Sequence, residues 1–277
     1  MAVTIKNEIR TSGRGLMKNK NCDVVIKPSH SGKIRIFSKG ADVSFDVCIE
    51  NLYSTEHCIT LCSKEHRTLL GGYKYKVVLS EHFTAACAIC GINSIDVYLS
   101  EVEMPIFDGS AKVWIELFKQ AGIAGTDKDF YTVSEPVYYL NGKTSLVILP
   151  DKKLRITYAV NYAHSDLHNV WVTMDNLDEI IEARTFGFYK DLKKFQALGF
   201  ANGVTVENTV GLKDDGYTTE LRSEHEPVKH KILDLIGDLY LTGVSPLNMR
   251  VQILVKEAGH AVHAKAAQIL KNRLVKI

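Results

Sequence analysis

Apolar and polar residues alternate with two different spacings along this chain, and the spacing predicts which segments form strands and which form helices. Alternation in short runs predicts strands at residues 23–27, 33–37, 94–99, 131–140, 145–149, 154–161 and 249–255. A three-to-four-residue spacing predicts helices at residues 81–90, 112–121, 189–198, 228–241 and 260–274. Asn141-Gly142 lies between two strand patterns, which favours a tight hairpin turn.

The order of these elements is similar in the two halves of the chain. Each half begins with strands and continues with helices, which predicts an α+β fold of two similar domains. A polar, glycine-marked connector at residues 122–129 separates the halves, so we place the domains at residues 1–125 and 126–277. No glycine-rich nucleotide fingerprint follows a predicted strand, which argues against a Rossmann or P-loop domain.

Composition narrows the class of protein. The chain has 277 residues, of which 45% are apolar and 24% charged, values typical of a folded globular protein. The formal net charge of +2 gives no reason to expect a nucleic-acid partner. No apolar run approaches the ~20 residues that span a bilayer, and the first residues lack a signal-peptide core. We therefore expect a cytoplasmic protein without a transmembrane segment, and a monomer because no heptad pattern is present.

All six cysteines lie in the first third of the chain, and two pairs have spacings that could belong to a zinc site. The first pair is Cys58 and Cys62, and the second is Cys87 and Cys90. The second pair falls inside an apolar helical pattern that lacks the turn glycines of a zinc knuckle. Reduced thiols that act as small core residues are therefore the favoured interpretation.

The segment from His230 to Asp234 carries the most informative chemistry in the sequence. If residues 227–242 form a helix, these two side chains lie one turn apart on one face, where they can bind a divalent metal ion. A hydrogen bond at the surface would also explain the spacing. His82, at the start of another predicted helix, could complete the two-histidine, one-carboxylate set of a hydrolytic zinc site.

Glu81 and His260 could move protons at such a site. Glu81 could deprotonate the attacking water, although the helix dipole alone also favours a carboxylate at a helix N-terminus. His260 could protonate a departing amine, and Asp238 could hydrogen-bond to it and raise its pKa. An ordinary near-surface histidine would also explain His260. His263, one turn further on, is expected to be exposed.

Five blocks of the sequence, in order, match a known family. They are Ser80-Glu-His82, Glu103-Met-Pro-Ile-Phe-Asp-Gly-Ser110, Ala183-Arg-Thr-Phe-Gly-Phe188, Glu226-Pro-Val-Lys-His-Lys-Ile-Leu-Asp-Leu-Ile-Gly-Asp-Leu-Tyr240 and Gly259-His-Ala261. Through these blocks the chain resembles the zinc-dependent UDP-3-O-acyl-N-acetylglucosamine deacetylases (LpxC) of lipid A biosynthesis. The resemblance runs through nearly the whole chain.

The resemblance implies the chemistry at particular residues. One zinc ion per chain would be bound by His82, His230 and Asp234. Glu81 would be the general base and His260 the general acid, supported by Asp238.

The resemblance also implies residues that face the substrate. Thr185 would stabilise the oxyanion, and Phe186 would line the sugar and acyl site. Lys231 would contact the substrate near its phosphates, and Lys256 is a further candidate for that contact.

The family fold implies where these residues come together. Two similar α+β domains would enclose helices between their sheets, with the active site between the domains. A small βαβ-type insert in the second domain, expected around residues 154–182, would form an apolar passage for the fatty acyl chain. Residues 170–174 offer apolar lining there, although a core strand would explain them as well.

Three positions depart from the family pattern. Met17 stands where the family has a histidine, and Val204 replaces the second glycine of a Gly-Gly pair. Glu257 stands where a basic residue normally precedes the catalytic Gly-His. The resemblance implies that these positions face the substrate, so they would bear on nucleotide recognition rather than on the hydrolytic residues.

The function expected from the sequence is hydrolysis of the N-acetyl group of UDP-3-O-acyl-N-acetylglucosamine, with release of acetate. The expected partner is therefore a small acylated UDP-sugar. One alternative is a paralogous zinc amidase that acts on another acylated amino sugar. A second alternative is a zinc-holding protein that binds an acylated sugar without catalysis.

Overall fold

The computed structural model describes residues 2–39, 41–66, 68, 72–126 and 129–277. The strands are β1 (Thr4–Ile5), β2 (Ile9–Arg14), β3 (Asn21–Pro28), β4 (Ile34–Phe37), β5 (Phe45–Asp46), β6 (Leu52–Ser54), β7 (Thr60–Cys62), β8 (Lys76–Val78), β9 (Ile95–Leu99), β10 (Ile123–Ala124), β11 (Tyr131–Val133), β12 (Val137–Asn141), β13 (Thr144–Pro150), β14 (Arg155–Val160), β15 (Val170–Thr173), β16 (Thr185–Phe188), β17 (Thr209–Lys213), β18 (Gly216–Tyr217), β19 (Val251–Lys256) and β20 (Leu274–Lys276). The α-helices are α1 (Glu81–Cys90), α2 (Lys112–Ala121), α3 (Leu177–Glu182), α4 (Tyr189–Ala197), α5 (Glu226–Leu239) and α6 (His260–Lys271).

Two five-stranded sheets with equivalent topology form the two halves of the fold. The strand order is β2-β3-β9-β4-β5 in the first half and β12-β13-β19-β14-β15 in the second. In both sheets the third strand runs antiparallel to the second and parallel to the fourth. The predicted α+β fold of two similar units is therefore confirmed.

The helices bring the two halves together. Helix α1 of the first half packs against α5 of the second, while α2 packs on β2 and α6 packs on β12. Both α1 and α5 are buried along most of their length, and their buried residues include the ionisable groups of Glu81, His82, His230, Asp234 and Asp238. The N-terminal end of α1 and one face of α5 therefore meet in the interior.

Each half also carries an insert before its central helix. In the first half it is the three-stranded sheet β6-β7-β8, and in the second it is β16-α4-β17-β18, in which β16 and β17 are parallel. The second insert is the expected βαβ-type unit, but it lies C-terminal to residues 154–182. Strands β14 and β15 of that segment belong to the main sheet, because β14 pairs with β19 and β15 pairs with β14. Ile156, Tyr158 and Val160 of β14 are buried core residues.

Several predicted boundaries change in the structure. The single strand predicted at residues 131–140 is two strands that belong to different sheets, since Pro136 between them has no N–H for a sheet ladder. Helix α5 begins at Glu226, with Pro227 in its first turn, where the missing N–H has no cost. The predicted hairpin is confirmed by the pairing of β12 with β13, but Asn141 is the last paired residue of β12 and the turn is formed by Gly142 and Lys143.

Asp127 and Lys128 of the predicted connector lie outside the described residues. The division of the chain into residues 1–125 and 126–277 therefore stays a prediction.

The cysteines do not form a zinc site in the part of the chain that the structure describes. None of the six forms a disulfide, and neither of the two groups of candidate metal ligands found there contains a cysteine. Cys58, Cys62 and Cys87 are buried, and they act as small core residues. Within the same described residues, the structure has no helix long and apolar enough to cross a membrane.

Candidate active site

Close packing between α1 and α5 places the start of α1 beside the middle of α5. Gly237 makes this approach possible, since a Cβ atom there would lie 2.2 Å from the main-chain oxygen of Glu81. The hydroxyl of Thr84 donates a hydrogen bond to the same oxygen at 3.0 Å. As a result, the rings of His82 and His230 meet edge to face, with centroids 4.9 Å apart.

His82, His230 and Asp234 form a buried cluster in which their potential ligand atoms lie within 4.8 Å of one another. Oδ1 of Asp234 lies 3.3 Å from Nε2 of His230 and 3.8 Å from Nε2 of His82. Ligands that bind a tetrahedral zinc ion at ~2.0–2.1 Å lie about 3.3 Å apart. The spacing of this cluster therefore fits a zinc ion.

Two further observations favour a metal ion over a cluster that is held together by hydrogen bonds. Oδ1 of Asp234 is buried and has no hydrogen-bond partner among the described residues, which is unusual for a carboxylate oxygen. Nδ1 of His230 lies 3.0 Å from the carbonyl oxygen of Ala183. Because a carbonyl can only accept, Nδ1 carries the proton and Nε2 presents a lone pair to the cluster.

The three residues of this cluster have the protonation states that are required to bind a cation. Burial lowers the pKa of His82 to about 3 and lowers the pKa of His230 as well, so both rings are neutral at pH 7. Burial alone would raise the pKa of Asp234, but Lys231 and the neighbouring histidines hold it well below its usual value. Two neutral imidazoles and a carboxylate are a ligand set of hydrolytic zinc enzymes.

Glu81 lies beside the cluster with one carboxylate oxygen fixed. Its Oε2 accepts a hydrogen bond from the main-chain N–H of Ile59 at 3.0 Å, while Oε1 lies 3.9 Å from Nε2 of His260. Burial raises the pKa of Glu81 to about 7. A carboxyl group with such a pKa can accept a proton from water and release it again at neutral pH.

His260 begins α6 and is oriented by Asp238. Its Nδ1 lies 2.8 Å from Oδ2 of Asp238, so the hydrogen bond expected between them is present. Burial alone would lower the pKa of His260, but the carboxylates of Asp238, Asp234 and Glu81 raise it to about 9. At neutral pH the ring is therefore protonated and can act as an acid.

The expectation that His263 is exposed is wrong. The residue is 0% exposed, and its Nδ1 lies 2.8 Å from the same Oδ2 of Asp238. Its Nε2 lies 2.9 Å from the hydroxyl of Tyr158, which donates to the carbonyl oxygen of Ala258. The three-residue spacing of His260 and His263 indicates that they share a helix face. The contact with Tyr158 was not predictable from that spacing, because Tyr158 lies on a distant strand.

Asp238, His260 and His263 also have potential ligand atoms within 4.8 Å of one another. However, Nδ1 of each histidine is already hydrogen-bonded to Asp238. This second group therefore holds His260 in place.

An apolar groove of about 280 Å³ opens beside the cluster. Thr185 and Phe186 lie on its wall, and the ring of Phe186 lies 6.1 Å from that of His230. The groove takes its lining from both halves of the fold. The apolar residues along it include Leu16, Met17, Phe186, Phe188, Leu192, Phe195, Phe200, Ala201, Val204 and Val206.

The two predicted phosphate-binding lysines have different surroundings. Nζ of Lys231 lies 2.6 Å from Oδ2 of Asp234, and Asp234 raises the pKa of this lysine against the effect of burial. Lys256 is at the end of β19, where its Nζ lies 3.8 Å from Glu257. No hydrogen bond or ion pair among the described residues joins Lys256 to the histidine cluster.

The departures from the family pattern also have definite places. Met17 and Val204 both pack against the buried cluster around Leu16 and Ile106, and both line the groove. They therefore add apolar surface to the groove wall. Glu257 lies beside Lys256, with its main-chain N–H bonded to Ala159.

Comparison with known proteins agrees with this geometry. The family model described as UDP-3-O-acyl N-acetylglycosamine deacetylase (LpxC) matches residues 2–272. A UDP-3-O-acyl-N-acetylglucosamine deacetylase of Leptospira biflexa is 32% identical over 98% of this chain and 90% of its own length. The protein of that name from Geotalea uraniireducens is 31% identical, covering 98% and 88%.

A third relative with that name, from Chlamydia muridarum, is 30% identical over 93% of this chain and 90% of its own length. The match therefore includes both sheets, both inserts and every residue of the candidate site. The chain belongs to the UDP-3-O-acyl-N-acetylglucosamine deacetylase (LpxC) family, and it is a hydrolase that removes the N-acetyl group of this acylated UDP-sugar in lipid A biosynthesis.

Proposed function

We propose that the deacetylation uses one zinc ion per chain, held by His82, His230 and Asp234. The observation that carries this proposal is the buried Oδ1 of Asp234, which has no hydrogen-bond partner in the described part of the chain and faces Nε2 of both histidines. Zinc bound there would polarise the amide carbonyl and acidify the attacking water.

Glu81 is the general base in this proposal. Its Oε1 accepts a proton from the attacking water, while the bond from Ile59 keeps Oε2 in place. The pKa of about 7 that burial gives to this carboxyl makes the proton transfer reversible at neutral pH.

His260 is the general acid in this proposal, and Thr185 assists at the other end of the amide. The protonated ring donates from Nε2 to the departing nitrogen, because Asp238 engages Nδ1. The hydroxyl of Thr185 donates to the carbonyl oxygen as negative charge develops on it. Acetate and a free amine are the products.

The groove binds the 3-O-acyl chain in this proposal, and the lysines bind the phosphates. Phe186 lies where the groove meets the cluster, a suitable place for the sugar and the start of the chain. Lys231 uses one of its three donors on Asp234, so it has donors for a phosphate oxygen. Lys256 is half-exposed and is the second candidate for this contact.

We also propose that residues 1–125 and 126–277 are the two domains and that the chain acts as a cytoplasmic monomer. Each range contains one five-stranded sheet, and six cysteines without a disulfide suit a reducing compartment. Light scattering of the purified protein measures the oligomeric state.

The test of the catalytic proposal combines metal analysis with acetate release from the acylated UDP-sugar. Protein stripped by a chelator should be inactive, and it should recover when about one zinc ion per chain is restored. Glu81→Gln should bind zinc normally but lower kcat by about 10²–10⁴-fold. Glu50→Gln, which alters a surface pair with Lys271, is the control and should match the wild type.

Normal turnover by Glu81→Gln would contradict the role of the base, and full activity of the stripped protein would contradict the metal. Equal turnover of a substrate without the UDP group would instead indicate an amidase with broader substrate recognition.

A further inference from the structure

Glu103 is a buried carboxylate that the chemistry above does not use. It is 5% exposed, and its backbone forms an isolated parallel β-bridge with Val78. Its two carboxylate oxygens accept hydrogen bonds from successive main-chain N–H groups, Oε1 from Met17 at 2.5 Å and Oε2 from Lys18 at 3.0 Å. Glu103 therefore holds the tip of the β2-β3 hairpin.

The hairpin tip is shaped to receive this carboxylate. A Cβ atom on Gly15 would lie 2.4 Å from Cδ of Glu103, so only glycine lets the acid reach the two N–H groups. Two unpaired N–H groups in a buried place would be costly. A carboxylate satisfies both, whereas an amide has only one oxygen and its NH₂ would face the second donor.

The same hairpin tip closes one side of the groove by joining the insert of the second half. The N–H of Gly203 donates to the oxygen of Leu16 at 2.9 Å, and the N–H of Asn202 donates to the oxygen of Met17 at 3.1 Å. A Cβ atom on Gly203 would lie 2.1 Å from the oxygen of Gly15, so the two segments are in close contact.

The side chains on the tip form part of the groove wall. Leu16 and Met17 both line the groove and pack against the small buried cluster that contains Ile106. Nζ of Lys18 bonds to the oxygen of Gly199 at 2.7 Å, which gives a second anchor on the insert. The position of the wall thus depends on the carboxylate beneath it.

We propose that Glu103 is a positioning residue that sets the affinity for the acyl chain by holding Leu16 and Met17 against the groove. This inference rests on the proposed role of the groove as the acyl site. Glu103 contacts neither the histidine cluster nor Glu81 in the described residues. Its loss should therefore change the binding of the chain and leave the bond-breaking step unchanged.

The experiment compares two substrates that differ only in the 3-O-acyl group, one with a long chain and one with an acetyl group. Glu103→Gln and Glu103→Ala should raise KM for the long-chain substrate by about tenfold or more, with kcat within about twofold of the wild type. KM for the short-chain substrate should not change. Met17→Ala should raise KM for the long chain alone, without loss of the carboxylate.

Glu101→Gln is the matched control, because Glu101 lies two residues away and, within the described residues, its carboxylate forms an ion pair with surface Lys39 at 3.5 Å. It should behave as the wild type with both substrates. Circular dichroism and thermal unfolding establish that each variant is folded. If Glu103→Ala does not fold, the kinetics of the milder variant Glu103→Gln test the proposal.

Wild-type KM for both substrates by Glu103→Gln would overturn the proposal, and so would an equal loss with both substrates or a fall in kcat alone. If the wild-type enzyme itself does not distinguish the two substrates, the proposed acyl site is wrong. That outcome would contradict the groove as the acyl site, whereas each of the three results named for the Glu103 variants would contradict only the role of Glu103.

Discussion

Burial and neighbouring charges together decide the protonation of each histidine at this site. His82 and His260 are both buried or nearly so, yet the pKa of His82 is lowered to about 3 and that of His260 is raised to about 9. His260 lies within 3.9 Å of three carboxylates, those of Asp238, Asp234 and Glu81. His82 lies 3.8 Å from Asp234, but its burial and the facing imidazole of His230 outweigh this carboxylate. One ring is therefore suited to bind a cation and the other to donate a proton.

His263 should affect catalysis although it does not contact the histidine cluster. Replacing it with phenylalanine removes one of the two donors to Oδ2 of Asp238 and disturbs the bond to Tyr158. Asp238 would then orient His260 less well, and kcat should fall by about tenfold or more with little change in KM. Steady-state kinetics on the acylated UDP-sugar measures this effect.

His263→Asn is the matched variant, because its side-chain NH₂ can take the place of the Nδ1–H donor. It should recover much of the lost kcat at a similar thermal stability. Wild-type kcat in His263→Phe would show that a single donor is enough to fix Asp238.

At the scale of elements, the contact between α1 and α5 determines whether the metal-ligand residues can meet. His82 is on the first of these helices, and His230 and Asp234 are on the second. The helices approach closely only because Gly237 has no side chain. Gly237 therefore contributes to the site without bearing a functional group.

Gly237→Ala should weaken metal binding and stability together. The added Cβ atom would lie 2.2 Å from the oxygen of Glu81, so α1 must move away, at a cost of about 1–3 kcal/mol. Zinc titration and calorimetry measure the two effects. Gly187→Ala is the control, since nothing lies within 4 Å of its added atom, and unchanged zinc affinity in Gly237→Ala would contradict the argument.

The elements themselves were largely predictable from the sequence, because apolar spacing is a local property. Helices α1 and α2 have the predicted bounds, since each pattern ends at a glycine, Gly91 or Gly122. The position of the insert was not predictable in the same way. Its strands and those of the main sheet have similar alternation, and only pairing between distant strands distinguishes them.

At the scale of the whole molecule, a buried ion pair joins the second insert to α5. The carboxylate of Glu226 accepts hydrogen bonds from Nε and Nη2 of Arg184 and from the main-chain N–H groups of Arg184 and Arg222. Arg184 precedes β16 and also donates to the oxygen of Glu220. This pair connects the groove-lining insert to the helix that carries two of the proposed metal ligands.

Glu226→Ala should destabilise the protein by about 3–5 kcal/mol, because it leaves a buried guanidinium uncompensated. Burial alone would raise the pKa of Glu226, but Arg184 and the main-chain donors lower it below its usual value of 4.5. The stabilisation is therefore present above pH 4.5 and is lost as the pH falls further towards the lowered pKa.

Calorimetry between pH 7 and about pH 3 measures this effect, since carboxylates titrate over that range. The wild type should lose Tm over the acid part of this range, and Glu226→Ala should start lower and lose less. Glu224→Ala is the control, because its carboxylate is largely exposed. Equal acid sensitivity in the wild type and Glu226→Ala would contradict the prediction.

The sequence by itself determined the element types, the α+β class and the family, together with the candidate residues His82, His230, Asp234, Glu81 and His260. Spacing within a helix and matched motifs are readable along the chain. The tertiary structure alone decided the burial of His263, the anchoring of the hairpin tip by Glu103 and the opposite pKa shifts of two histidines. Those features depend on which distant groups come within hydrogen-bonding reach and on how far water is excluded, and neither is a property of local sequence.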